Sequence, residues 1–560
     1  MTRRQLRSNF EPGTSRWAVR RAQWRALGLT DEDMEKPKIA IVNTSSELSI
    51  CFSHLDQVSA RVKEAVRAAG GIPFEIRTIA PSDFIISAGR AATYILPSRD
   101  LITNDIEVAV EGAQLDGMIC LASCDKTTPG QLMAAARIDL PTLVVLCGYQ
   151  ASGRYRNHHM DIEEVFLHAG HHAAGKLGFE ELKEMSENAI KSPGVCSGMG
   201  TANSMHSVCE ALGMALPGGA PVRAMSDKMM DYVDRAGKRI VDMVWEDLRP
   251  RQILSPGAFR NAAATVLAVS GSINTIKHLQ AIAVEAGLDV DVYGMFEELS
   301  GEVPILAAVR PIGANSIEEF EDAGGARGIM KRLEPVIDAS ALTVTGRTWG
   351  EELRDVEIAD PDVIRPLDRP FATKPGIVLL RGSLAPDGAI AKVGLRGPGR
   401  PMSFDGPARV FDNSPSAEAA LKEGLVKPGE VLVLRGMGVK GGPGMGGASR
   451  LVFALDGSGL GPDVAVVTDG QLSGLVNVGL VIGEVKPEAF TGGPLGLVKD
   501  GDRITIDIDS RSIELHVPET ELAERREAFV QKPLSAEKGW LSLYGSTVTP
   551  LEKGATLIAK

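Results

Sequence analysis

The chain has 560 residues, 44% hydrophobic and 24% charged, with 60 Lys and Arg against 72 Asp and Glu and a formal charge of −12. These proportions exclude a disordered or fibrous chain and are enough for a large core. The acidic balance argues against a nucleic-acid partner, because neutralising phosphates takes a positive surface.

Residues 17–26 read as a solvated helix face. Residues 38–43 read as a strand, and residues 54–69 as a helix with Leu55, Val58, Val62 and Val66 on one face, stopped at Gly70-Gly71. A second strand is expected at 72–79, a helix from an N-cap at Ser98 to about Gln114, and further strands at 117–122 and 141–147. Strands alternating with helices imply parallel βαβ units. Residues 161–192 read as largely helical, 193–203 as an uncharged glycine-rich loop, and the chain to about 285 as helical again. A Pro-rich, charged linker is expected at 360–375. Beyond it come short β-type runs at 376–381, 408–411, 430–434, 464–467, 480–485, 503–508 and 512–517. The expected organisation is an N-terminal parallel-sheet α/β domain over residues 1–370 and a β-rich domain over 371–560.

The longest charge-free runs, 192–209 and 261–276, are too polar to span a membrane, and no signal peptide is recognised, so a cytoplasmic protein is expected. The glycine cluster at 436–447 lacks the Lys-Ser/Thr of a phosphate loop. Six cysteines without a C-x-x-C pair give no disulfide scaffold, zinc ribbon or thioredoxin motif. Cys120, Cys147 and Cys209 sit in apolar patterns and read as core. Cys51 follows the first strand, Cys124 follows the third, and Cys196 lies in the glycine-rich loop. The carboxyl ends of parallel strands open on a ligand crevice. Three thiolates there suit an iron–sulfur cluster with one open position, although each thiol reads equally as a small buried hydrophobe.

The segments Glu47-Leu48-Ser49-Ile50-Cys51, Ser123-Cys124-Asp125-Lys126-Thr127-Thr128-Pro129-Gly130, Cys196-Ser197-Gly198-Met199-Gly200-Thr201-Ala202-Asn203 and Thr468-Asp469-Gly470-Gln471-Leu472-Ser473-Gly474 resemble the signature segments of the dihydroxy-acid dehydratase / phosphogluconate dehydratase family. The resemblance runs from about Arg7 to Ala489. It implies dehydration of a 2,3-dihydroxy carboxylate, either a branched-chain dihydroxy acid or a sugar acid, to a 2-oxo-3-deoxy acid. It also implies a C-terminal swivelling β/β/α barrel, a site between the domains, and a homodimer or homotetramer with a small-molecule substrate, while the acidic balance and the lack of an apolar span lead to no nucleic-acid or membrane partner being expected. By the same resemblance Cys51, Cys124 and Cys196 bind a [2Fe-2S] cluster. Asp83, Asp125 and a carbamylated Lys126 bind Mg2+, and Ser473 is the base at C2. The chemistry asks for these parts. The 3-hydroxyl leaves poorly without a Lewis acid, the C2 proton is weakly acidic, and a serine hydroxyl is a feeble base without a nearby cation. Alone, Asp83 reads as a helix cap and Ser473 as a turn residue; the joint motifs outweigh both.

The sequence departs from the family at four places. In Gly441-Gly442-Pro443-Gly444-Met445-Gly446-Gly447, Gly447 stands where the family carries a Glu that ligates Mg2+. Gln471 stands for an Arg, Glu484 for the His of a Gly-His pair, and Ile273 for the Thr of Gly-Ser-Thr-Asn. Water or another acid such as Glu484 is expected to fill the gap at Gly447. The segment 161–166 leans towards the dihydroxy-acid type. The alternative is a non-catalytic paralogue acting as a sensor or partner subunit.

Overall fold

Four apolar runs pair into one parallel sheet, ordered β2-β1-β3-β4, in a computed structural model that describes residues 4–89, 92–395, 401–442, 447–473, 479–533 and 538–557. Pro443, Gly444, Met445 and Gly446 of the glycine loop, and Gly474 of the serine motif, lie outside the described residues. The strands are β1 (Lys38–Asn43), β2 (Ile72–Arg77), β3 (Gly117–Ala122) and β4 (Thr142–Leu146). β1, β3 and β4 are buried along their whole length, so their sequences run apolar without alternation. The helix Leu55–Ala68 turns Leu55, Val58, Val62 and Val66 into the core and packs beside Asp227–Glu246. Strand order reverses between β1 and β3, the place where such sheets open a crevice.

The sheet domain differs from expectation at two points. The helix expected from Ser98 starts at Ile95; Ser98 lies in its first turn and its Oγ donates back to the Ile95 carbonyl at 2.6 Å. A short hairpin, β5 (Gly153–Tyr155) with β6 (His158–Met160), turns through Arg156 and Asn157, both with φ positive, at 46° and 67°. Two-residue hairpin turns of this hand need such values, and Asn tolerates them.

The second half forms a closed eight-stranded barrel, ordered β10-β11-β12-β8-β7-β14-β13-β9. Its strands are β7 (Ile377–Gly382), β8 (Ala385–Lys392), β9 (Ser403–Phe411), β10 (Val431–Leu434), β11 (Ala465–Thr468), β12 (Leu480–Lys486), β13 (Arg503–Asp507) and β14 (Ser512–His516). Alternation divides β7, β8, β10, β11 and β12 between two cores. Val378, Leu380, Val431, Val433, Ala465 and Val467 fill the barrel, whereas Ile377, Leu379, Leu432, Leu434 and Val466 join the core of the sheet domain. β8 was not expected, because Pro386-Asp387-Gly388 reads as a turn; pairing with both β7 and β12 overrides that preference. The helices Ser414–Lys422, Gly447–Ser458, Glu519–Glu527 and Trp540–Thr547 were also not expected in a β-rich half.

A buried arginine and a close helix crossing help fasten the halves together. Buried Arg99 of the sheet domain donates to the carbonyls of Gly554 at 3.0 Å and Ala555 at 2.6 Å, holding the C-terminal segment. The helix Ile162–Ala173 crosses Gly447–Ser458 at two glycines. A Cβ on Gly170 would lie 2.7 Å from the Phe453 carbonyl oxygen, and one on Gly457 would lie 2.5 Å from that of Gly170. Gly457→Ala therefore forces the helices apart. Overpacking of this kind costs about 1–3 kcal/mol, so the variant melts below the wild type. Gly461→Ala, whose Cβ would meet nothing closer than 3.7 Å, does not. Equal melting of wild type and Gly457→Ala would contradict the close crossing.

Candidate active site

The loops after β1 and β3 are sewn together by their own side chains. Ser123 Oγ donates to the Cys51 carbonyl at 2.6 Å, and Thr127 Oγ1 donates to the Cys124 carbonyl at 2.9 Å. Cys51 and Cys124 thereby face each other. The Cys124 thiol hydrogen-bonds Cys51 and holds it below the usual thiol range, against the opposing effect of burial. The same contact, then burial, pushes Cys124 up. Cys196 arrives from the glycine-rich loop. There Gly194, with φ of 122°, lies so near Tyr149 that a Cβ would sit 2.5 Å from its carbonyl carbon. Asn203 Nδ2 donates to the carbonyls of Cys196 at 2.7 Å and Gly198 at 2.8 Å, fixing the loop. Loss of water pushes the Cys196 thiol up, and the charge of Cys51 adds to it.

Next to the thiols stands a group of oxygen donors and one amine. Lys126 is fully buried, and its Nζ donates to Asp83 Oδ2 at 3.0 Å. Asp83 opens the short helix Asp83–Ile86, and its other oxygen, Oδ1, is buried without a partner. Desolvation, then the charge of Asp83, pushes Asp125 up to about 8, with Lys126 opposing. Asp83, Asp125, Cys196 and Ser473 all line a cavity of about 510 Å³ between the two domains. Ser473 enters from the barrel, its N–H donating to Ser449 Oγ at 2.8 Å. The structure thus brings Asp83, Asp125, Cys196 and Ser473 to one cavity from both halves of the chain, with Lys126 beside it against Asp83 and with Cys51 and Cys124 meeting next to Asp125.

Among the described residues no three His, Cys, Asp or Glu side chains converge on one metal-binding point. The donor chemistry nevertheless suits two groups. Cys51, Cys124 and Cys196 offer soft thiolate ligands. The orphaned Asp83 Oδ1, beside Asp125 and Lys126, is a hard oxygen donor of the kind Mg2+ takes. Gly447 begins the helix Gly447–Ser458 on the cavity wall and supplies no ligand. Glu484 does not replace it. Its carboxylate is fully buried and occupied by Gln471, Lys277 and Tyr293.

Two features of the site escaped the sequence reading. Phe84, Phe166 and Phe453 form an aromatic ladder from Asp83's helix to the barrel side, with centroid distances of 6.1 Å and 4.8 Å. Lys277 is fully buried behind the cavity, where burial pushes it below the usual ammonium range and Glu484 pulls it back. Its trace in the sequence is the end of the charge-free run at residue 276.

The chain matches two adjoining family models, "Dihydroxy-acid/6-phosphogluconate dehydratase N-terminal" over residues 36–352 and "Dihydroxy-acid/6-phosphogluconate dehydratase C-terminal" over residues 362–555. A protein of Pyrococcus abyssi named dihydroxy-acid dehydratase is 42% identical over 540 residues, 96% of this chain and 97% of that protein. One of the same name from Methanococcoides burtonii is 42% identical over 552 residues, 98% of this chain and 99% of that protein. One from Acetivibrio thermocellus is 39% identical over 542 residues, 96% and 97% of the two chains.

The thiol contacts make a reactivity prediction. In metal-free protein at pH 7.5, iodoacetamide modifies Cys51 at least ~10-fold faster than Cys120, Cys147 or Cys209, since the thiolate is the nucleophile. The last three are fully buried, and burial pushes each of them up. Mass spectrometry of the labelled peptides reads this, and equal rates would contradict the Cys51–Cys124 contact.

Proposed function

Because the chain belongs to the dihydroxy-acid/6-phosphogluconate dehydratase family, we propose that it removes water from a small branched-chain 2,3-dihydroxy acid to give the 2-oxo-3-deoxy acid. It is an enzyme, a hydro-lyase. The observation that carries the substrate choice is the make-up of the cavity. Phe84, Ile85, Ile95, Ile162, Phe166 and Met437 make most of its wall apolar, while Asp83, Asp125, Thr201, Asn274, Asn413, Ser449, Arg450 and Ser473 supply polar groups. An alkyl branch at C3 buries against that wall. The extra hydroxyls of a sugar acid would find fewer partners there than in water, which is costly.

The residues divide the work. The polar groups hold the carboxylate and both hydroxyls of the substrate, and the aromatic ladder keeps water from the reacting carbons. Ser473 Oγ takes the proton from C2, on a turn fixed through its N–H to Ser449. The 3-hydroxyl leaves with its bonding electrons and takes up the proton removed from C2, departing as water, and the resulting enol becomes the ketone by gaining a proton at C3 and losing the one on its C2 oxygen. Cys51, Cys124 and Cys196 would hold a [2Fe-2S] cluster, and Asp83, Asp125 and a carbamylated Lys126 would hold Mg2+. When bound, these groups polarise the leaving hydroxyl and stabilise negative charge developing at the carboxylate. With Gly447 in place of a carboxylate, water would have to make up the missing ligand of a bound Mg2+, an arrangement this ion tolerates.

Anaerobically purified protein offered 2,3-dihydroxy-3-methylbutanoate and gluconate tests the reading by keto-acid formation. The branched acid is expected to show the higher kcat/KM, by on the order of 10²-fold or more, the penalty for placing unmatched groups in an apolar pocket. A preference for gluconate would overturn it.

A further inference from the structure

Behind the cavity a buried ion pair crosses the domain boundary. Lys277, on the helix Asn274–Glu285, has no exposed side chain; its Nζ donates to Asn274 Oδ1 at 2.9 Å and lies 3.7 Å from Glu484 Oε1. Glu484 sits where the register of β12 breaks, with φ of 53°, a backbone conformation a glutamate seldom adopts. The Gln471 side-chain amide donates to its Oε1, and the Tyr293 hydroxyl donates to its Oε2 at 3.1 Å. Its backbone N–H donates to the Gly470 carbonyl at 2.9 Å. One barrel residue therefore grips the turn at 470–473 through both main chain and side chain. It is itself gripped by Lys277 and Tyr293 from the sheet domain.

The path continues to the cavity floor. Asn274 Nδ2 donates to Thr201 Oγ1 at 3.0 Å, and both residues line the cavity, whereas neither Lys277 nor Glu484 does. Hydrogen bonds and one ion pair thus join the turn that carries Ser473 to the surface on which the substrate rests. Burying two charges is expensive unless geometry repays it, and a strained backbone persists only where its surroundings over-determine it. Both are present in Glu484, which is bonded to Gly470 and Gln471, three and two residues before the proposed base. A ligand role leaves this arrangement unexplained, since both oxygens of Glu484 are already engaged.

We propose that Lys277, Glu484 and Gln471 form a positioning unit that sets the Ser473 hydroxyl of the barrel against a substrate held on the sheet domain. The inference rests on Ser473 acting at C2, so its test needs a readout independent of turnover.

The variants are Lys277→Met, Glu484→Gln, the double variant and Gln471→Ala, the last leaving the ion pair in place should the others fail to fold. Hydrogen exchange of residues 468–473 is followed beside kcat, KM and Mg2+ content. Each variant is expected to exchange faster in that segment. Each is expected to lose about 10–100-fold in kcat, the usual cost of removing a supporting partner, with KM changed less than about threefold. The double variant is expected to lose no more than the worse single one, because the residues act as one unit. Wild-type exchange and kcat in Gln471→Ala and the double variant would overturn the proposal. So would Mg2+ lost from Glu484→Gln alone, which would make the carboxylate a metal ligand. If the wild type dehydrates no dihydroxy acid, the functional reading fails, and the exchange data still decide whether the unit holds the turn.

Discussion

A polar group without access to water has to find a partner where it stands, and in the unmodified chain the Lys126 amine is such a group. Leaving it unpaired would cost on the order of several kcal/mol. Its partner, Asp83, comes from a different loop, 43 residues earlier in the chain. That one contact fixes the short helix Asp83–Ile86 against the turn after β3, where Cys124 and Asp125 also lie. Phe84 follows directly and starts the aromatic ladder through Phe166 to Phe453. A pairing requirement inside the sheet domain is thereby passed on as a packing requirement between domains.

The division of the site explains why the domain boundary is so tightly made. The thiols, Asp83, Asp125 and Lys126 belong to the sheet domain, and Ser473 belongs to the barrel. A displacement of about 1 Å between them is enough to cost a large part of a reaction rate. Glycines at the crossing of Ile162–Ala173 with Gly447–Ser458 bring the backbones together, Arg99 ties down the C-terminal segment, and the Lys277–Glu484 pair locks the serine turn. Each device is of a different kind, and each acts on the same relative position.

The sheet domain was legible in the sequence because its order is local. Apolar runs gave β1, β3 and β4, and the 3.6-residue period gave the helix Leu55–Ala68. The barrel was less so. Val431–Leu434 and Ala465–Thr468 are plain apolar strands, but Ala385–Lys392 is a strand only through its two neighbours. The site followed the same rule. Cys51, Cys124, Asp125, Lys126, Cys196 and Ser473 sit in contiguous motifs and could be named. Lys277 could not, since one lysine in a helix says nothing of a glutamate 207 residues away. Glu484 was visible as a departure from the family, yet its partners come from both domains, and the expected metal role gave way to the ion pair once they were placed. No helix among the described residues is long and apolar enough to cross a membrane.

The central claim is that two sets of donors, three thiols and a separate oxygen group, meet beside one cavity between the domains, which Cys196, Asp83 and Asp125 line. Anomalous diffraction from crystals grown anaerobically, with Mn2+ in place of Mg2+, tests it most directly. The account predicts iron density bounded by Cys51, Cys124 and Cys196, and a manganese peak beside Asp83, Asp125 and Lys126. Manganese at Glu484, or iron density away from the three cysteines, would contradict it.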